Sequence, residues 1–237
     1  AITEWRDYNP QVSTKADFAQ ATSANSPLYK LNAINGIPAI LFDGSTDYMT
    51  SANFSDITTG QSTVFAVVKL PATLASQVIV SKRGNATADT VNIQLGTHAT
   101  ASVGWSYCDG ATQSSASVCN HLASGASVLA TNSYIYSSVF TAETAVVSSS
   151  TTGGITFFQN GAVLNQLPTL TTSLPAGATP DTGSNNSMTL GANSLSTPAN
   201  FFGGYLGNYY LVMFFPRVWS YELFEMYMPH GLLNPGA

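Results

Sequence analysis

Turn residues interrupt this chain at short intervals, and the stretches between them are apolar and rich in β-branched and aromatic residues. "STVFAVVKL" (62–70) lies between Gly60 and Pro71. "SQVIVSK" (76–82) follows, then "TVNIQLG" (90–96), where Val91, Ile93 and Leu95 alternate with polar neighbours. "ASVGWSY" (101–107), "ASVLA" (126–130), "SYIYSSVFTAE" (133–143), "SMTLGA" (187–192) and "YLGNYYLVMFF" (205–215) extend the pattern. In "GITFFQNGAVLNQ" (154–166) the Asn160-Gly161 pair supplies the two residues that a type I′ hairpin turn prefers. Closely spaced short strands of this kind predict an all-β sandwich of two antiparallel sheets.

One short helix is expected, in "SYELFEMYMPHG" (220–231). Ser220 can cap it, Glu222 suits the positive end of its dipole, and Pro229 and Gly231 stop it. Segment 167–186, rich in Pro, Thr and Gly, reads as a long loop inside one domain, because only two strands and a tail follow it.

The 237 residues suit one large all-β domain, and 44% hydrophobic residues can fill its core. Charged residues make up only 8%, against roughly 25% in an average soluble domain. Hydroxyls and amides take their place, as in secreted proteins, adhesins and virion components. The seven Lys and Arg are scattered and the net charge is −5. No basic patch can follow a phosphate backbone, so nucleic acid is excluded as a partner. No apolar run reaches the ~18 residues of a membrane span, so no membrane insertion is expected.

Two cysteines, Cys108 and Cys119, flank a Gly/Ser/Thr stretch in "SYCDGATQSSASVCNH". No His or Cys lies between them at metal-ligand spacing. They read as a disulfide closing a long hairpin loop, which would imply an oxidising compartment. The alternative is two separate buried thiols.

The stretch "NGIPAILFDGSTDYM" (35–49) resembles a signature of the laminin-G-like, concanavalin-A-like lectin and glucanase domains. Asn35, Gly36, Pro38, Ala39, Phe42, Asp43, Gly44, Asp47 and Tyr48 fall on the pattern N-G-x-P-A-[LIV]-x-F-D-G-x-x-D-[YF]-[LM]. "EWRDYNP" (4–10), "FQNG" (158–161), "LGAN" (190–193) and "GNYYLVMFFPRVWSYE" (207–222) are similar to other family pieces, in the same order. The resemblance implies a single jelly-roll domain over 1–237. The family carries one strand before the W-x-D piece, and Ala1 leaves almost no room for it. This implies a longer protein or a strand from a neighbouring chain. The family's usual Glu in the closing strand falls on Leu211, so any role of that carboxylate is lost. Fold alone does not give function, since this jelly roll hosts lectins, adhesion domains, glycosidases and decoration domains.

Glycoside hydrolysis needs two carboxyls about 5 to 10 Å apart. No strand carries acids at alternate positions, and the four Glu (Glu4, Glu143, Glu222, Glu225) are dispersed. His98, His121 and His230 lack a G-x-S-x-G partner motif. The chain is therefore not expected to be an enzyme. Asp43 and Asp47 are either turn formers or two ligands of a Ca²⁺ ion, the one cofactor considered. Trp105, Tyr107, Tyr134 and Tyr136, with Asp109 beside them, are the candidate platform for a sugar ring. The expected function is a non-catalytic, glycan-binding or adhesive module, extracellular or on a virion or particle surface. Its partners would be carbohydrate and neighbouring subunits of an assembly. The alternatives are a structural decoration or fibre subunit and a glycoside hydrolase.

Overall fold

The structure is a computed structural model, and it describes residues 1–7, 13, 15–51, 61–71, 76–83, 91–98, 102–108, 119–123, 133–141, 155–159, 162–163, 187–193, 198–207 and 212–215. The expected strand at 126–130, the loop at 167–186 and the helix at 220–231 lie outside the described residues. Near the start are β1 (Glu4–Trp5), β2 (Phe18–Ala19), a 3-10 turn (Ser23–Asn25), β3 (Leu28–Ile34), β4 (Ile37–Leu41) and β5 (Met49–Ser51). Next come β6 (Gln61–Lys69), β7 (Gln77–Arg83), β8 (Val91–His98), β9 (Ser102–Cys108) and β10 (Cys119–Ala123). The remainder are β11 (Ser133–Thr141), β12 (Ile155–Gln159), β13 (Ala162–Val163), β14 (Met188–Leu190), β15 (Tyr205–Gly207) and β16 (Val212–Phe215). No helix among the described residues is long and apolar enough to cross a membrane, which says nothing of a β-barrel.

The strands form two antiparallel sheets, a β-sandwich of jelly-roll type. Sheet A runs β1-β2-β5-β14-β7-β8-β9-β10. Sheet B runs β13-β12-β11-β6-β15-β4-β3, and β16 continues along β6 on the side of β15. An Asn-Gly pair makes the turn between β3 and β4. Ile34 pairs with Ile37, and Asn35 and Gly36 between them both have positive φ, 48° and 78°. That is the backbone a type I′ turn demands, and Asn and Gly adopt it at least cost. Gln159 pairs with Ala162, leaving two residues between β12 and β13.

Period-two patterning places the core. In sheet A the register lines up Met49, Leu190, Val80 and Leu95, all 0% exposed. In sheet B it lines up Ile40, Leu206 and Val68, all buried, while Leu41, Tyr205 and Lys69 in the next row are only half-buried. Directly paired residues share a face, so these apolar rows are the facing surfaces of the sandwich. Strand β6 is covered on both sides: Val64, Phe65, Ala66, Val67 and Val68 are all buried. This is why it reads as a nearly continuous apolar run.

Strand β3 is an edge, paired only with β4 among the described strands. Leu28, Tyr29 and Leu31 are exposed, Leu31 to 72%. Lys30 sits among them, and the register shifts between Lys30 and Ile34. A lysine and a bulge are both devices that discourage pairing with another edge. Trp5 is half-buried on β1.

Candidate functional site

The turn that follows β4 holds both signature aspartates. The Asp43 carboxylate is ringed by donors from its own turn. Its Oδ1 accepts the N–H of Ser45 (2.9 Å), Thr46 (2.8 Å) and Asp47 (2.9 Å). Its Oδ2 accepts the hydroxyls of Ser45 (2.6 Å) and Thr46 (2.9 Å). Asp47 turns back and accepts the Asp43 N–H through Oδ2 at 3.1 Å. Gly44, at φ 78°, supplies the left-handed residue of the turn.

The two carboxyls are driven apart in acidity. Partial burial of Asp43 acts to raise its pKa, but the Ser45 hydroxyl and the N–H groups of Thr46, Ser45 and Asp47 outweigh it. The group is held well below the usual carboxylate range. Asp47 moves the other way: burial first, then the neighbouring Asp43 charge, push its pKa up. The hydrogen bond from Asp43 and the N-terminal ammonium offset part of that rise.

A Ca²⁺ site needs six to eight oxygens turned toward the ion. Here the Asp43 oxygens face five N–H and O–H donors, which fill the lone-pair positions a carboxylate offers. Among the described residues no group of three His, Cys, Asp or Glu could hold a metal ion. The donor set fits a capped turn and does not fit a cation cage.

The turn is also a joint between the sheets. Gly44 N–H donates to the Phe202 carbonyl (3.1 Å), Phe202 N–H to the Gly191 carbonyl (2.8 Å), and Gly191 N–H to the Ile79 carbonyl (2.9 Å). This relay runs from the end of β4 to β7. Phe42 and Phe202 pack beneath it, with ring centroids 6.1 Å apart and planes tilted by 53°. Gly191 has φ 79°, and a Cβ there would strike the Phe42 ring. On the rim, Tyr48 and Phe201 pack at 6.4 Å.

The register places the candidate sugar platform. Trp105 pairs with Leu95 on one side and Leu122 on the other. Tyr107, two residues on, belongs to the same face of β9. Tyr134 pairs with Val68 and Tyr136 with Ala66, both 0% exposed. The backbone pairing thus assigns Trp105 and Tyr107 to one sheet and Tyr134 and Tyr136 to the other. Asp109 lies outside the described residues. Cys108 and Cys119 are opposed on β9 and β10.

The other face of sheet A carries a feature that strand-by-strand reading missed. Thr50, Thr189, Ser81, Gln94, Ser106 and His121 pair in sequence across β5, β14, β7, β8, β9 and β10. This is a continuous polar row, one residue per strand. The Ser81 hydroxyl donates to Gln94 Oε1 at 3.4 Å. Thr50 is exposed and Gln94 half-buried, while Ser81 and Thr189 are buried. Only the sheet order shows that these positions align.

Among solved structures, the chain is similar to the CBM40 domain of the Ruminococcus gnavus IT-sialidase. The match has 17% identity and a TM-score of 0.52, over 89% of this chain and 99% of that one. The same domain bound to α2,3-sialyllactose matches with a TM-score of 0.52 and 17% identity, over 88% of this chain and 98% of the other. A mutant NanB sialidase from Streptococcus pneumoniae matches at 13% identity with a TM-score of 0.52; 81% of this chain is covered but only 27% of that enzyme. The likeness is one of fold. It agrees with the β-sandwich of jelly-roll type that the sequence resemblance implied. No protein-family profile and no curated protein sequence matches the chain.

Proposed function

We propose that this chain is a non-catalytic glycan-recognition module, displayed outside the cell or on a virion or appendage surface. The observation that supports it is the end-to-end likeness to a CBM40 domain, 99% of which the match covers. That neighbour binds α2,3-sialyllactose. Charge argues for a neutral sugar here. A sialic acid carboxylate calls for a cation, and this chain has net charge −5 and only three arginines, Arg6, Arg83 and Arg217. Arg6 is engaged with Glu4 at 3.3 Å. The polar row of sheet A carries hydroxyl and amide groups of the kind that bind sugar hydroxyls, the half-buried Gln94 among them.

A glycan array carrying neutral and sialylated glycans tests this, followed by calorimetry on any hit. The expected result is binding of a neutral glycan that is lost in Gln94→Ala, with no release of reducing sugar from the ligand. Binding to no glycan overturns the reading, and steady release of sugar overturns its non-catalytic part.

A second reading, a decoration or fibre subunit, is favoured by the exposed apolar side chains Leu28, Tyr29 and Leu31 of β3, which a neighbouring copy would cover by packing rather than by strand pairing. It predicts that a neighbouring copy covers this edge. A monomer at all concentrations in sedimentation experiments would remove it.

A further inference from the structure

The hairpin β9–β10 closes one side of sheet A. Its register is given by the backbone pairing: Leu122 lies opposite Trp105, and Trp105 opposite the fully buried Leu95. A slip of one residue would move Leu122 off that row and turn every residue of β10 to the other face. With the register fixed there, Cys119 falls directly opposite Cys108. Opposed residues of an antiparallel pair have Cα atoms about 4.5 to 5.5 Å apart, within the roughly 4.4 to 6.8 Å that a disulfide spans.

We infer that Cys108 and Cys119 form a cross-strand disulfide that locks this hairpin. The inference is independent of the glycan reading. The bond would close the ten residues 109–118, "DGATQSSASV", into a ring. It would also tie down β10, which among the described strands pairs only with β9. The chain is therefore a substrate for a disulfide-donating oxidant, either a thiol–disulfide oxidase or oxidised glutathione. The thiolate of one cysteine attacks the oxidant's disulfide and expels one thiolate, leaving a mixed disulfide. The second cysteine thiolate attacks the protein sulfur of that mixed disulfide and expels the other half of the oxidant. The two cysteines lose two protons and two electrons, and the oxidant's disulfide is reduced to two thiols.

The test uses the full chain, equilibrated in a glutathione buffer poised like a secretory compartment and then alkylated without reductant. The expected mass is that of the unalkylated protein less two hydrogens, and a non-reducing digest joins the Cys108 and Cys119 peptides. Reductant should lower the melting midpoint by roughly 5 to 10 °C. The double variant Cys108→Ser, Cys119→Ser should melt at the same temperature with and without reductant. Alkylation of both thiols in that buffer overturns the inference, as does a crosslink found only between two chains.

Discussion

Asp43 and Asp47 cap each other: each backbone N–H donates to the other's carboxylate, at 3.1 Å and 2.9 Å. The exchange bends the chain back at the end of β4, where the relay through Phe202 and Gly191 begins. Two carboxylates four residues apart could suggest a reactive pair. Both Asp43 oxygens and the Asp47 Oδ2 are occupied in holding the turn.

Asp43→Ala removes the acceptor of five hydrogen bonds. The turn is exposed, so water replaces part of the loss, and the expected cost is about 2 kcal/mol. Asp43→Asn keeps one oxygen acceptor and should cost less. Urea unfolding checks both, and the m-value should not change.

The opposite pKa shifts make opposite contributions to stability against pH. Asp43 is more acidic in the fold than in the unfolded chain. Its stabilisation is present above the ordinary Asp value of about 4 and is lost as pH falls through and below it. Asp47 is less acidic in the fold. Its contribution is present below that ordinary value and is lost as pH rises through its raised folded value. Asp47→Asn keeps an oxygen for the Asp43 N–H and carries no charge. It should match or exceed the parent in stability at pH 7, and the difference should close toward pH 4. Melting curves across that range measure it.

Gly36 and Gly191 have the same backbone conformation, φ 78° and 79°, in different surroundings. An alanine Cβ at Gly36 meets nothing within 4 Å, so Gly36→Ala pays only left-handed strain, about 1 kcal/mol. The same atom at Gly191 collides with the Phe42 ring, so Gly191→Ala should cost about 3 kcal/mol in all. Calorimetry should place the Gly191 variant's melting midpoint well below that of the Gly36 variant.

Trp105 separates two accounts of the aromatic residues. On the core account, its replacement by Ala should cost about 3 to 5 kcal/mol with no ligand present. As a sugar platform, Trp105→Ala would leave unfolding unchanged and abolish binding. Denaturant unfolding of the free variant decides between them.

Much of the fold was legible because alternation is a local property. The run 62–70 became β6, 76–82 became β7, and the Asn160-Gly161 hairpin pairs as its turn chemistry demands. Strand β3 was not legible, because Leu28–Ile34 is an edge whose first five residues are exposed and do not alternate. Strand β10 was not legible either, because its sequence CNHLA has a single large apolar residue and no alternation. The candidate site was less legible than the fold. Trp105 and Tyr134 are the right residues for a sugar platform, but the sequence does not say which face of which sheet they occupy. The polar row from Thr50 to His121 draws one residue from each of six strands. No window of sequence contains it.

Strand β6 has its partners far along the chain: 133–141 on one side, 205–207 and 212–215 on the other. During synthesis it emerges ahead of these partners, apolar on both faces and unpaired along both edges. Its last partner follows only once residues 212–215 have been made. Non-local pairing of this kind folds slowly and leaves the nascent chain open to aggregation. The burden falls on whatever chaperone holds residues 61–69 until then.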